Sequence, residues 1–331
     1  MADSNIDFVA IGDITTDAFI RLKQSEAHVV ETDGRKEICM SFGDKIPYEK
    51  VDIVRAVGNS PNAAVGAARL GLTSAVVTIV GDDENGRECV ASLQASNVRT
   101  DFITVQKNIE TNYHYVLSYG AERTILVKHH EYDYQLPDIG EPTWVYVSSL
   151  AENSLPFHHK IAAYLAEHPN IKLAFQPGTF QIKLGYDKLK DIYARSELFF
   201  CNKEEAERIL NRPPEKIETL LEGIRNLGPK IAIITDGPKG AYTHDGNEIW
   251  YMPMYPDPAP PTNRTGAGDA FSSTFTSALI LGKTIPEALA WGPINSMSVV
   301  QYVGAQRGLL ARETLEAFLE SAPSDYVAKR M

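Results

Sequence analysis

Cysteine is scarce in this chain: three among 331 residues, Cys39, Cys89 and Cys201, far apart and without a CxxC pair. Such usage excludes a disulfide frame and a thiolate zinc site, and it fits a reducing, cytoplasmic compartment. No apolar run approaches the roughly 18 residues of a membrane span. The N-terminus leads into a short strand at residues 6–11, with no basic-then-apolar leader. Internal repeats and low-complexity tracts are absent too. Positive charge is in deficit, with Lys plus Arg at 32 against 43 for Asp plus Glu and a formal net charge of -11. Without a long basic cluster, nucleic acid and anionic membrane surfaces are poor partners, which leaves a small molecule. A phosphorylated ligand would have to be held locally, by backbone amides and a few placed side chains. What the chain does have is 44% hydrophobic and 23% charged residues, the balance of a folded protein rather than a disordered one. Its length suits two domains or one large α/β unit.

Short apolar runs read as buried strands: Asp7–Ile11, Ala75–Val80, Trp144–Val147, Lys172–Phe175, Leu198–Phe200 and Ile231–Thr235. Helical stretches lie between several of them. Ser60-Pro61 reads as a helix start with Ser60 as N-cap, and Gly71 stops that helix. This alternation predicts a mainly parallel, doubly wound sheet with helices on both faces. The last third is helical, over 267–281, 286–302 and 312–320. Two segments break the pattern. Asp17–Leu22 and Glu37–Phe42 are strand-like around a polar, turn-rich stretch, and 111–128 reads as a hairpin turning at Gly120. Together they predict one small antiparallel sheet over 17–54 and 111–128, standing off a main domain of 1–16, 55–110 and 129–331. Decoration of the main sheet's edge is the alternative.

The sharpest local pattern is Thr265-Gly266-Ala267-Gly268-Asp269-Ala270-Phe271, which follows a Pro-rich loop and opens a helix. Small residues there let successive N–H groups converge on an anion, and the helix dipole favours negative charge. Asp269, in the first turn, is placed to take a proton from a hydroxyl that attacks a phosphate. A tight turn followed by an ordinary first-turn acid explains the same residues. Gly282-Lys283-Thr284 lacks the earlier glycine of a P-loop and closes a helix instead of opening one. A second cluster, Gly58-Asn59-Ser60-Pro61-Asn62, offers two amides that both donate and accept, which suits a polyol. Asp17, just beyond the first strand, is a third polar group at the edge where such sheets bind ligands. Asn202 and Glu205, spaced NxxE after a strand, suit water around Mg²⁺ and phosphate, or simply a helix start. Thr235 to Ala241, with Gly237 and Gly240, ends another strand as a turn fit to face a nucleotide. The pairs His129-His130 and His158-His159 lack chelating spacing and read as surface residues.

In their order along the chain, these pieces resemble the ribokinase/PfkB carbohydrate-kinase family. The likeness runs from Gly12–Asp17 through Gly58–Gly71, Gly81–Gly86, Asn202–Glu205, Thr235–Ala241 and Gly266–Asp269 to Gly304-Ala305. It implies a Rossmann-like α/β domain with a β-sheet lid, and ATP-dependent phosphoryl transfer to a sugar hydroxyl. By the same resemblance Asp269 is the catalytic base, with the amides of Gly266, Ala267 and Gly268 as the anion hole. Asn202 and Glu205 serve Mg-ATP, with Glu205 reaching the metal through water. Thr235, Gly237 and Gly240 line the nucleotide site, while Asp17, Gly58, Asn59 and Asn62 contact the acceptor. Two departures stand out. Val57-Gly58 replaces the usual Gly-Gly, and Asn263-Arg264 replaces Asp-Thr, which puts K⁺ activation through position 263 in question. A nucleoside is the alternative acceptor, since Tyr113, Tyr115 and Tyr119 in the hairpin offer rings for stacking, although packing of the lid on the domain or on a second copy uses them equally well. A phosphorylated sugar, with Arg123 and Lys128 supplying charge, is a further option. A non-catalytic ligand sensor is the competing class, and a homodimer through the lid is the oligomer that the hairpin tyrosines suggest.

Overall fold

A computed structural model of the chain describes residues 6–120 and 122–331. The chain opens with β1 (Phe8–Ile11), then β2 (Thr15–Leu22), β3 (Ala27–Thr32), β4 (Arg35–Met40) and β5 (Tyr48–Val57) before α1 (Asn59–Arg69). Next come β6 (Ser74–Gly81), α2 (Glu84–Ala95), the short β7 (Val98–Arg99) and β8 (Ile103–Gln106), and the hairpin β9 (Tyr113–Tyr119) and β10 (Glu122–Leu126). Alternation resumes with β11 (Trp144–Val147), α3 (Leu155–Glu167), β12 (Lys172–Phe175), α4 (Thr179–Leu184), α5 (Tyr186–Arg195), β13 (Ser196–Asn202), α6 (Lys203–Ile209), α7 (Ile217–Asn226) and β14 (Ile231–Thr235). The antiparallel β15 (Ala241–His244) and β16 (Ile249–Met252) precede α8 (Ala267–Ile280), α9 (Ile285–Val299), α10 (Arg312–Glu320) and a terminal β17 (Lys329–Arg330).

The main sheet runs in the order β17-β16-β15-β14-β13-β12-β11-β1-β6-β7, with β8 also on β6. From β14 to β7 every pairing is parallel, so these strands lie between two helical layers and are apolar on both faces. Alternate residues divide between two cores. Phe8, Ala10, Val76, Tyr146, Leu198 and Phe200 face α1, α8 and α9. Val9, Ile11, Val77, Val147, Phe175 and Phe199 face α3, α5 and α7. The fold is α/β, a doubly wound and mainly parallel sheet. The turns after β1, β11, β12, β13 and β14 all open at one edge, where such sheets collect ligand-binding groups.

A second sheet of four strands stands apart, in the order β10-β9-β2-β5. It joins the two inserted segments, but it is mixed rather than antiparallel, because β2 and β9 run parallel. The chain reaches β9 from the main sheet, so it enters from the same end as β2. The stretch expected to be turn-rich holds β3, which pairs with β4 in a separate two-stranded hairpin. The strands of the small sheet begin at Thr15 and end at Val57, slightly outside the expected segment.

Two local expectations are corrected. Gly58, not Ser60, occupies the N-cap of α1; Ser60 lies inside the helix, its hydroxyl 2.5 Å from that of Ser148. His158 is fully buried rather than at the surface, its Nδ1 2.9 Å from the Ser154 carbonyl and its Nε2 near the Gln181 amide. His129 and His130 are half-buried, and of the four only His159 is exposed.

Candidate active site

Gly266 begins the site. It holds φ at +84°, and a Cβ on it would meet Ala305 at 2.3 Å, so only glycine fits this turn. From there α8 starts with no side-chain cap, which leaves the first N–H groups of the helix as unpaired donors with the dipole behind them. Asp269 lies in that first turn and is buried.

Three amides converge on its carboxylate. Asn59 Nδ2 donates to Oδ1 at 2.7 Å, Asn62 Nδ2 to Oδ2 at 2.8 Å, and Gln176 Nε2 to Oδ1 at 3.2 Å. Burial pushes the Asp269 carboxyl above its ordinary range, while these three bonds oppose the rise. A carboxylate accepts about four hydrogen bonds, so one position remains for a substrate hydroxyl. The first turn of α1 thus serves α8: Gly58 N-caps the helix at φ +123°, and a Cβ there would strike the Asp13 carbonyl at 2.4 Å. Asn62 is held in turn by Gln306, whose Nε2 donates to its Oδ1 at 3.0 Å and to the Ala56 carbonyl at 2.7 Å.

On the other side of Gly268 a groove of about 260 Å³ opens, lined by Thr235, Gly237, Gly240, Ala267, Gly268 and Phe271 among others. The expected nucleotide residues Thr235, Gly237 and Gly240 therefore meet the expected anion hole in one cavity. Asn202 and Glu205 close a capping box on α6: Glu205 N donates to Asn202 Oδ1 at 2.8 Å, and Asn202 N to Glu205 Oε2 at 2.9 Å. Burial raises the Glu205 carboxyl, and the charge of Asp269 raises it further. Asn263 accepts from Thr265 N at 2.7 Å, so its side-chain oxygen already braces the turn before α8.

Asp17 sits on β2, buried, with Oδ1 3.3 Å from Nδ1 of His114 on β9. Strand alternation places Tyr113, Tyr115 and Tyr119 on the opposite face from His114, so these rings do not share a face with Asp17. The Gly81–Gly86 motif ties down the root of the hairpin. Asp83 N-caps α2 through Gly86 N and accepts from both the hydroxyl and the N–H of Thr111. Although burial pushes the other way, those bonds hold the Asp83 carboxyl below its ordinary value.

Sequence reasoning missed Gln176, Gln306, Asp13, His114, His129 and Tyr134. Gln176 stands right after β12, where its Oε1 accepts from Ser272 Oγ at 2.7 Å and from the Tyr146 hydroxyl. The position at a strand's C-terminal end was its one available signal.

The family model described as pfkB family carbohydrate kinase matches residues 37–312. A ribokinase of Bacillus subtilis is 30% identical over 270 residues, covering 79% of this chain and 87% of its own. An ATP-dependent 6-phosphofructokinase of Thermoanaerobacterium thermosaccharolyticum is 27% identical over 297 residues, covering 86% and 90%. Among solved structures, an Arabidopsis thaliana ribokinase complexed with ribose and ATP superposes with a TM-score of 0.76 at 18% identity, covering 96% of this chain and 99% of that one. A Methanocaldococcus jannaschii nucleoside kinase gives 0.74 at 19%, with the same coverage. The chain belongs to the pfkB carbohydrate kinase family. Its fold is ribokinase-like, and it is an enzyme of the sugar-kinase class.

Proposed function

We propose that this kinase transfers the γ-phosphoryl group of ATP to a hydroxymethyl group of a sugar. The observation that carries the reading is the position of Asp269: one carboxylate buried between the amides of α1 and the unpaired N–H groups that border the groove. The acceptor hydroxyl takes the remaining lone-pair position on Asp269 and gives up its proton there as its oxygen attacks the γ-phosphorus. The bond to the bridging oxygen breaks and ADP leaves. The amides of Gly266, Ala267 and Gly268 hold the charge on the transferring group, so positioning and electrostatics do most of the work.

ATP occupies the groove against Thr235, Gly237 and Gly240. Mg²⁺ arrives with it as part of the substrate, and Glu205, just past the end of β13, would serve it through water. The acceptor lies against Asp17, Gly58, Asn59 and Asn62. The inserted unit, residues 17–54 and 111–128, acts as a lid that excludes water. Its outer face carries a row of paired positions, Ile53, Ala18, Tyr115 and Leu126, of which Ile53, Tyr115 and Leu126 are exposed. A second copy of the chain covering that row gives a lid-to-lid homodimer. K⁺ has at most a weak site at Asn263, whose oxygen is already engaged. The test is ADP release from Mg-ATP across pentoses, hexoses, keto acids and nucleosides. Sugar-dependent release supports the reading, and none with any sugar defeats it.

A further inference from the structure

Four buried polar atoms near the start of α1 have no hydrogen-bond partner: Asp13 Oδ2, Asp17 Oδ1, His114 Nε2 and His129 Nδ1. They belong to two carboxylate–imidazole pairs. Asp17 Oδ1 is 3.3 Å from His114 Nδ1, and Asp13 Oδ2 is 3.6 Å from His129 Nδ1; neither contact is aligned as a hydrogen bond. The two imidazoles lie side by side, with ring centroids 5.1 Å apart. Asp13 is 7% exposed and Asp17 8%, so water at the surface does not satisfy them. The arrangement is built rather than loose. Tyr134 OH donates to Asp13 Oδ1 at 2.8 Å, and Phe180 sits edge-on to His129 at 5.7 Å. The cluster abuts the acceptor side, because the Asp13 carbonyl is the group that a side chain at Gly58 would strike.

Leaving such groups unpaired costs more than pairing them gains, so the site is made for a polar occupant. Each pair offers a carboxylate oxygen to accept and an imidazole nitrogen to donate. One hydroxyl, which does both, satisfies one pair. Two adjacent pairs therefore suit two adjacent hydroxyls.

We propose that the Asp13–His129 and Asp17–His114 pairs form one subsite in which His129, His114 and Asp13 read two adjacent hydroxyls of the acceptor. His129, His114 and Asp13 are then specificity-determining residues of the phosphoryl transfer reaction, and the proposal rests on that reading.

The experiment measures kcat/KM by ADP release for D-ribose, D-glucose, adenosine and D-fructose 6-phosphate. It then takes each monodeoxy analogue of the best acceptor, with wild type, His129→Leu and His129→Asn. In the wild type, loss of one hydroxyl of the pair should cost roughly tenfold to hundredfold. In His129→Leu that penalty should shrink to a few-fold, and His129→Asn, which keeps a donor near Nδ1, should restore it. A structural role alone would leave the penalty equal in all three. His114→Leu against His114→Gln repeats the cycle if His129→Leu fails to fold. Equal penalties throughout overturn the subsite while leaving the kinase reading intact. No acceptor-dependent ADP release at all removes the kinase reading, and the subsite with it.

Discussion

Replacing Asp269 by Asn separates chemistry from architecture, and the structure says how. Oδ1 takes two donors, Asn59 and Gln176, so the amide oxygen of an Asn settles there. Its NH₂ then faces the Asn62 NH₂, donor against donor. Turning Asn62 moves the conflict to Gln306, whose Nε2 also serves the Ala56 carbonyl. One donor is left unsatisfied somewhere along this chain, at about 1–3 kcal/mol. Removing a buried charge works in the opposite direction, since burial raises the Asp269 carboxyl. The net change in stability should be small and the variant should fold. Turnover should nevertheless fall by roughly two to four decades, because an amide cannot take the hydroxyl proton. Steady-state ADP release, with thermal unfolding as the control, reads both quantities. The wild type should lose kcat on the acid side as Asp269 protonates, with a midpoint above the ordinary Asp value, and the variant's residual rate should lack that limb. The sign for stability is reversed. A raised folded-state pKa gives stability that is full below the unfolded value and is lost as pH rises through the folded one. The wild type should therefore lose ground to Asp269→Asn as pH rises across that window. Turnover of the variant within tenfold of wild type would refute the reasoning.

Gly266→Ala should destabilise the fold by about 2 kcal/mol or more, because it combines a positive φ with overlap on Ala305. Gly268→Ala, whose Cβ would find its nearest neighbour, Gln176, at 3.8 Å, should keep its melting temperature and lose kcat; a stable, fully active Gly266→Ala would contradict the turn argument. K⁺ titration in a large-cation buffer should show little activation of the wild type and more in Asn263→Asp, since a full charge at a few ångströms is worth on the order of 1 kcal/mol or more. Strong activation of both alike would remove position 263 from cation binding. Tyr115→Asp should convert a homodimer to a monomer in sedimentation at unchanged secondary structure, and a wild type that is already monomeric would end the lid-dimer reading.

Much of the fold was legible in the sequence because each buried parallel strand is a short apolar run with its own punctuation. The helix start at Gly266–Asp269 was legible for the same local reason. What escaped depends on contacts through space. Gln176, Asp13 and Tyr134 are unremarkable in sequence, and only the convergence of strand ends makes them neighbours of Asp269 or of each other. Ser60 looked like a cap because capping and pairing with Ser148 use the same hydroxyl. His158 looked exposed because a histidine pair has no helical or strand signature, whereas two polar partners, Ser154 and Gln181, make its burial tolerable. The parallel β2–β9 pairing depends on where the chain leaves the main sheet, and local alternation carries no record of that.

The most direct test of the central claim is to follow the phosphorus itself. Incubation of the protein with Mg-ATP and the preferred sugar, monitored by ³¹P NMR, should show a phosphomonoester growing one for one with ADP. Asp269→Asn should leave both signals at background. ADP accompanied by inorganic phosphate, with no sugar ester, would contradict phosphoryl transfer to a sugar.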